Sequence, residues 1–128
     1  MKLAPLLGTV ALVGVIVQVI VGLEITGAGV DSFIMPHVII GILGLVIIIV
    51  LAVTAFRAKM ATIYSKLIIT ILTILILLQV GLGFQLLQGA DAMITSHEAN
   101  GFLILILTLA MGTVTMASAR KRPQPNTS

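Results

Sequence analysis

Four apolar runs leave this chain little choice of fold. Leu3 to Leu23 is 21 residues without a charge, and Leu67 to Gln88 is likewise free of ionisable groups. Phe33 to Phe56 carries only His37, and Ile94 to Ser118 carries only His97 and Glu98, both near its start. A hydrocarbon layer ~30 Å thick takes about 20 helical residues to cross. Inside it only helices and closed barrels satisfy their own backbone hydrogen bonds. The expected fold is therefore all-α, an integral membrane bundle of four helices over residues 1–119, with a cytoplasmic tail at 120–128. The first run is longer than the roughly 7 to 15 apolar residues of a cleaved signal peptide, so it is counted as a helix. At 59% hydrophobic and 9% charged, against roughly 25% charged for a soluble domain, the composition agrees. Cysteine is absent, which excludes disulfides and thiolate metal sites.

The charges give the expected orientation. Lys2, Arg57, Lys59, Lys66, Arg120, Lys121 and Arg122 are all the basic residues, and they fall at the N-terminus, the second loop and the tail. Those places share one side of a four-helix bundle. Glu24, Asp31, Asp91 and Glu98 are all the acids, and they fall on the other side. The positive-inside rule puts both termini in the cytoplasm, so the net charge of +3 reports topology and calls for no nucleic-acid partner.

The chain also repeats itself. Gln18, Gly22, Gly29, Asp31, His37 and Gly41 recur as Gln79, Gly83, Gly89, Asp91, His97 and Gly101, about sixty positions later. The expected units are two hairpins, about 3–56 and 66–118, related by an axis along the membrane normal. Gly29 and Gly89 suit the left-handed position that ends a helix. Asp31 and Asp91 suit the N-cap of the next one, although Thr95 and Glu98 would alternatively form a capping box. Pro36, at the fifth position of a helix capped by Asp31, would forfeit an early hydrogen bond. His37 and His97 then lie at equal depth, about 9 Å inside their helices at 1.5 Å per residue, on the extracytoplasmic side.

Two imidazoles on facing helices at one depth are the axial pair that a haem iron takes. His37 and His97 are thus the candidate metal ligands. Gly41 and Gly101, one turn beyond each histidine, would leave room for a flat macrocycle, and Gly22 and Gly83 would do the same on the flanking helices. Gln18 and Gln79 are candidates to bond a ring nitrogen or the haem edge. The plain alternative is a pair of polar residues bonded to neighbouring carbonyls. Copper is a lesser metal reading, drawn from Met35 and Met93 near the histidines. Zinc would want a third ligand. With no base on the outer side, haem propionates would depend on Thr26, Ser32, Thr95, Ser96, Asn100 or backbone N–H groups.

Leu78-Gln79-Val80-Gly81-Leu82-Gly83-Phe84-Gln85-Leu86-Leu87-Gln88-Gly89 followed by His97, the stretch Leu23 to Gly29, and Pro36-His37 with the aliphatic run to Arg57 together resemble one four-helix half of the heme A synthase superfamily. They are also similar to related small haem-binding four-helix membrane proteins. The resemblance implies haem ligation by His37 and His97. Where the family has a Glu and an Arg beside the first histidine, this chain has Ile34 and Val38, and the family's loop cysteines are missing. The expectation is therefore a membrane b-type cytochrome holding one haem b near the outer face and passing single electrons. It would work as a small subunit of a respiratory or oxidoreductase complex or as a homodimer, with an extracytoplasmic electron carrier as a possible partner. The alternatives are a half-size haem-modifying enzyme and a haem-free structural subunit.

Overall fold

The computed structural model describes residues 3–29, 31–57 and 63–120, with side chains at 6, 8–29, 31–57 and 63–112. Four long helices account for nearly all of it: α1 Leu3–Ala28, α2 Ile34–Arg57, α3 Ile63–Leu87 and α4 Ile94–Arg120. All four contain spans long and apolar enough to cross a membrane. Each helix packs against its chain neighbours and α4 closes onto α1, so α2 stands diagonally across from α4 and α1 from α3.

The connections explain where the helices stop. Gly29 and Gly89 have φ of 63° and 85°, the left-handed conformation that only glycine adopts without a steric cost. At Gly89 the ending is a Schellman motif: the Ala90 N–H donates to the Gln85 carbonyl at 3.0 Å and the Gly89 N–H to the Leu86 carbonyl at 2.9 Å. After each glycine comes a single 3₁₀ turn, Asp31–Phe33 or Asp91–Met93, that runs into the next helix. Asp31 and Asp91 are thus the first residues of a 3₁₀ turn, and Ala90, not Asp91, holds the capping position, without a side-chain bond. A carboxylate in that first turn still complements the positive end of the helix.

Other boundaries shift from the sequence reading for equally local reasons. α1 runs on through Thr26 to Ala28, and α3 starts at Ile63, one turn before Leu67. Because α2 begins at Ile34, Pro36 falls in its first turn, where a missing N–H costs least. The capping box does not form: α4 begins before Thr95, and Glu98 bonds elsewhere. Of the basic residues, Arg57 and Lys66 stand at the α2–α3 end, opposite Asp31 and Asp91. Lys2, Lys59, Lys121 and Arg122 lie outside the described residues, as do the tail beyond 120 and the side chains of Arg120, Thr113, Thr115 and Met116.

The packed core sits toward that same Arg57 end. Ile48, Leu51, Ile69, Leu72 and Ile104 are buried together, with Ala11, Val15, Leu45 and Leu107 against them. Several threonine hydroxyls in the spans are satisfied locally. Thr70, Thr73 and Thr108 donate to the carbonyls of Lys66, Ile69 and Ile104 at 2.8, 2.7 and 2.7 Å, and Thr54 donates to Val50. Such bonds to the previous turn let a hydroxyl sit in an apolar span without an open donor. The outward faces carry Ile20, Leu43, Ile74 and Ile106, all exposed, the surface expected of helices in contact with lipid.

Gly89→Ala puts a Cβ on a residue at φ 85° and is expected to destabilise the bundle by about 1–2 kcal/mol. Gly44→Ala, where an added Cβ meets nothing within 4 Å, is expected to be neutral or to stabilise by up to about 1 kcal/mol. Unfolding in mixed detergent micelles measures both.

Candidate functional site

Antiparallel packing of α1 on α2 brings position 22 level with 37 and position 18 level with 41. The sequence spaces both partners by four on each helix, so two contacts form together. A Cβ placed on Gly22 would come 3.3 Å from His37 Cε1, and one placed on Gly41 would come 2.9 Å from Gln18 Nε2. The α3–α4 pair does the same: a Cβ added at Gly83 would come 3.3 Å from His97 Cε1, and one added at Gly101 would come 3.2 Å from Gln79 Nε2. Each glycine is the socket for a polar side chain of the helix beside it. The space at Gly41 and Gly101, read from the sequence as room next to the histidine of the same helix, is taken by glutamine. The space at Gly22 and Gly83 is taken by the imidazole.

These sockets fix where the imidazoles go. His37 and His97, each the fourth residue of its helix, lean inward from diagonal corners of the bundle. Their ring centroids are 5.9 Å apart, with the ring planes tilted by 59°. The main-chain carbonyls of Gln18 and Gln79 interact with the two rings, yet Nδ1 of each histidine is buried and makes no hydrogen bond of acceptable geometry.

Between the helices lies a cavity of ≈ 330 Å³, within the ~300–1,000 Å³ usual for small-molecule sites. Its wall is overwhelmingly aliphatic, with Val19, Ile40, Leu72, Ile76 and Val80 among the lining residues. The polar exceptions are the two histidines, Gln18, Gln79, Glu98 and two threonines, Thr26 and Thr108. All eight residues singled out from the sequence line this one space: Gln18, Gly22, His37, Gly41, Gln79, Gly83, His97 and Gly101. Met35 and Met93 do not line it, and Met35 is 63% exposed. Among the described residues no group of three His, Cys, Asp or Glu side chains could hold a metal ion.

Two interactions were not legible in the pattern. Asn100, read as a partner for an acidic ligand edge, turns instead to α3, where its Nδ2 donates to the Leu75 carbonyl at 2.9 Å and to Gln79 Oε1 at 2.7 Å. The signal was available, since a lone amide in an apolar span must find a partner inside the bundle. Thr26 donates to Glu98 Oε1 at 2.8 Å, joining α1 to α4 beside His97. The places matching these on the α2–α3 side are Val38 and Leu87, so one seam of the cavity is polar and the other apolar. Comparison of the chain with protein-family models, curated proteins and solved structures finds no match.

Two substitutions test the packing that builds the site. Asn100→Ala removes both bonds to α3 and is expected to cost about 1–2 kcal/mol, the scale of an interhelical hydrogen bond in a membrane bundle. Gly83→Val crowds the His97 ring and is expected to cost about 1–3 kcal/mol by overpacking. Denaturation in mixed micelles measures each against the unaltered chain.

Proposed function

We propose that this chain is a multi-pass integral membrane cytochrome of the b type, with one haem held between His37 and His97 and electrons passing through it one at a time. The observation that carries the reading is the meeting of two imidazoles from diagonal helices at 5.9 Å between centroids. Metal–imidazole bonds of about 2 Å each put the two ligating nitrogens about 4 Å apart, and ring centroids lie behind those nitrogens. The spacing therefore suits one metal ion between the rings. The donor set agrees, because two imidazoles in a largely aliphatic cavity, whose one carboxylate, Glu98, accepts a hydrogen bond from Thr26, would suit a metal whose other positions are filled by a macrocycle.

A haem held there supplies an Fe(III)/Fe(II) couple. The chain's own part is to position and to exclude. Gly22 and Gly83 let each imidazole press against a neighbouring backbone, which holds the ring in place. Val19, Ile40, Leu72, Ile76 and Val80 keep water from the space between the rings. The repeated set of Gln, Gly and His, with equal 3.3 Å sockets in both hairpins, supports an origin by duplication of a two-helix unit. The separation of Arg57 and Lys66 from the acids supports cytoplasmic termini and a site toward the extracytoplasmic face of a cell membrane. The chain is proposed to work beside other membrane subunits or as a homodimer.

Expression with haem supplementation, purification in detergent and a reduced-minus-oxidised spectrum test the proposal. Soret and alpha bands of a low-spin bis-imidazole haem are expected, with each single variant, His37→Ala or His97→Ala, losing the low-spin signature and the double variant losing the bands. A colourless protein would end the haem reading. A hydroxylated or formylated haem in the extracted pigment would make the protein a modifying enzyme instead.

A further inference from the structure

A flat group that comes to rest between His37 and His97 has an imidazole on each face, so it must enter edge first. The core closes the bundle at the Arg57 end, where Ile48, Leu51, Ile69, Leu72 and Ile104 are buried together. Within each hairpin the two helices are held close, by His37 at Gly22 and Gln18 at Gly41 and by the same contacts in α3–α4. The ways in that remain are the outer end and the two seams between hairpins, α1–α4 and α2–α3. The seams differ in one respect. Across α1–α4, Thr26 donates to Glu98 Oε1 at 2.8 Å, and both residues line the cavity. The matching places on α2–α3 are Leu87 and Val38, which also line the cavity and carry no hydrogen-bonding group in their side chains. One turn deeper the seams agree. Leu23 and Phe102 stand on one, Phe84 and Ile42 on the other, all lining the cavity and between 43% and 53% exposed.

We infer that the α2–α3 seam is a lateral portal through which the site is loaded from the bilayer, and that the Thr26–Glu98 bond holds the other seam shut while it opens. The inference rests on the haem reading above. In hydrocarbon no water replaces a broken hydrogen bond between helices, so the seam without one parts more readily. Along Val38, Leu87, Ile42 and Phe84 the α2–α3 seam offers only apolar side chains. The apolar edge of a macrocycle crosses such a surface without stripping water from a polar group. The chain continues from Arg57 to Ile63 at the core end, so α2 and α3 stay joined there and separate in their outer halves. The outer end is the poorer way in. Glu24, Asp31, Asp91 and Glu98 lie on that side with no base among the described residues, and this field repels a ligand that carries two carboxylates.

The chain has no cysteine, so a pair of introduced thiols can staple one seam alone. Two matching pairs are compared in the full chain, purified without haem and placed in phosphatidylcholine nanodiscs. Ile42→Cys with Phe84→Cys spans α2–α3, and Leu23→Cys with Phe102→Cys spans α1–α4. Each pair is closed with a short bis-methanethiosulfonate linker, haem b is added, and uptake is followed in the Soret band. The α2–α3 staple is expected to slow uptake by about tenfold or more, as when a gating motion is blocked, with recovery once a reductant cleaves the linker. The α1–α4 staple is expected to leave uptake at the rate of the unlinked protein. Val38→Gln with Leu87→Thr copies the Thr26–Glu98 bond onto α2–α3 without a charge. It is expected to slow uptake by about threefold to tenfold, the scale of one interhelical hydrogen bond in a membrane bundle, and it reads the same seam if the cysteine pair does not fold. An α2–α3 staple closed after loading is expected to keep the bands and to slow haem transfer to apomyoglobin. Equal uptake rates with the two staples, or slowing by the α1–α4 staple alone, would overturn the inference and leave the haem reading standing. An unaltered protein without haem bands would overturn both.

Discussion

Helices that are apolar all round gain nothing from hiding apolar surface from lipid. What holds them together is close packing and the few hydrogen bonds they make to one another. In this chain close packing is found at the reciprocal sockets, His37 on Gly22 with Gln18 on Gly41, and His97 on Gly83 with Gln79 on Gly101, while the hydrogen bonds between helices run from Asn100 to Leu75 and Gln79 and from Thr26 to Glu98. Each socket brings two backbones close and buries a polar side chain in the same step. The packing that joins the helices is therefore also the device that aims the imidazoles. A methyl group on any of the four glycines presses on a side chain of the site, so assembly of the bundle and geometry of the site depend on the same atoms.

The bundle divides along its length. Toward the Arg57 end, Ile48, Leu51, Ile69, Leu72 and Ile104 close into a core. Toward the Gly29 and Gly89 end the four helices stay apart around the cavity. Ile48, Leu72 and Ile104 belong to both the core and the cavity wall, and glycines at 14, 22, 41, 44, 83 and 101 add no side-chain volume along that wall. The 3₁₀ turns at Asp31 and Asp91 finish that end by setting both histidines at the fourth position of their helices.

The two hairpins match in their sockets and differ in what surrounds them. Asn100 stands where Ile40 does, and Glu98 with Thr26 stands where Val38 and Leu87 do. One side of the cavity is thus braced by hydrogen bonds and the other by aliphatic contact alone. A matching pair of histidines thus sits in an asymmetric frame.

Four helices, their approximate ends, the left-handed glycines and the equal depth of the histidines were all determined by the sequence itself. Apolar run length, glycine's tolerance of positive φ and a residue count from the turn are local quantities, and local quantities can be read along one strand of letters. Which face of one helix meets which face of the next is not local. It depends on rotation and register between helices, and those follow from all contacts at once. Only the tertiary structure could decide that Gly41 makes room for Gln18 and not for a ligand beside His37. It also decided that Asn100 turns to Gln79, that Glu98 is taken by Thr26, and that two imidazoles sixty residues apart come to rest 5.9 Å from one another.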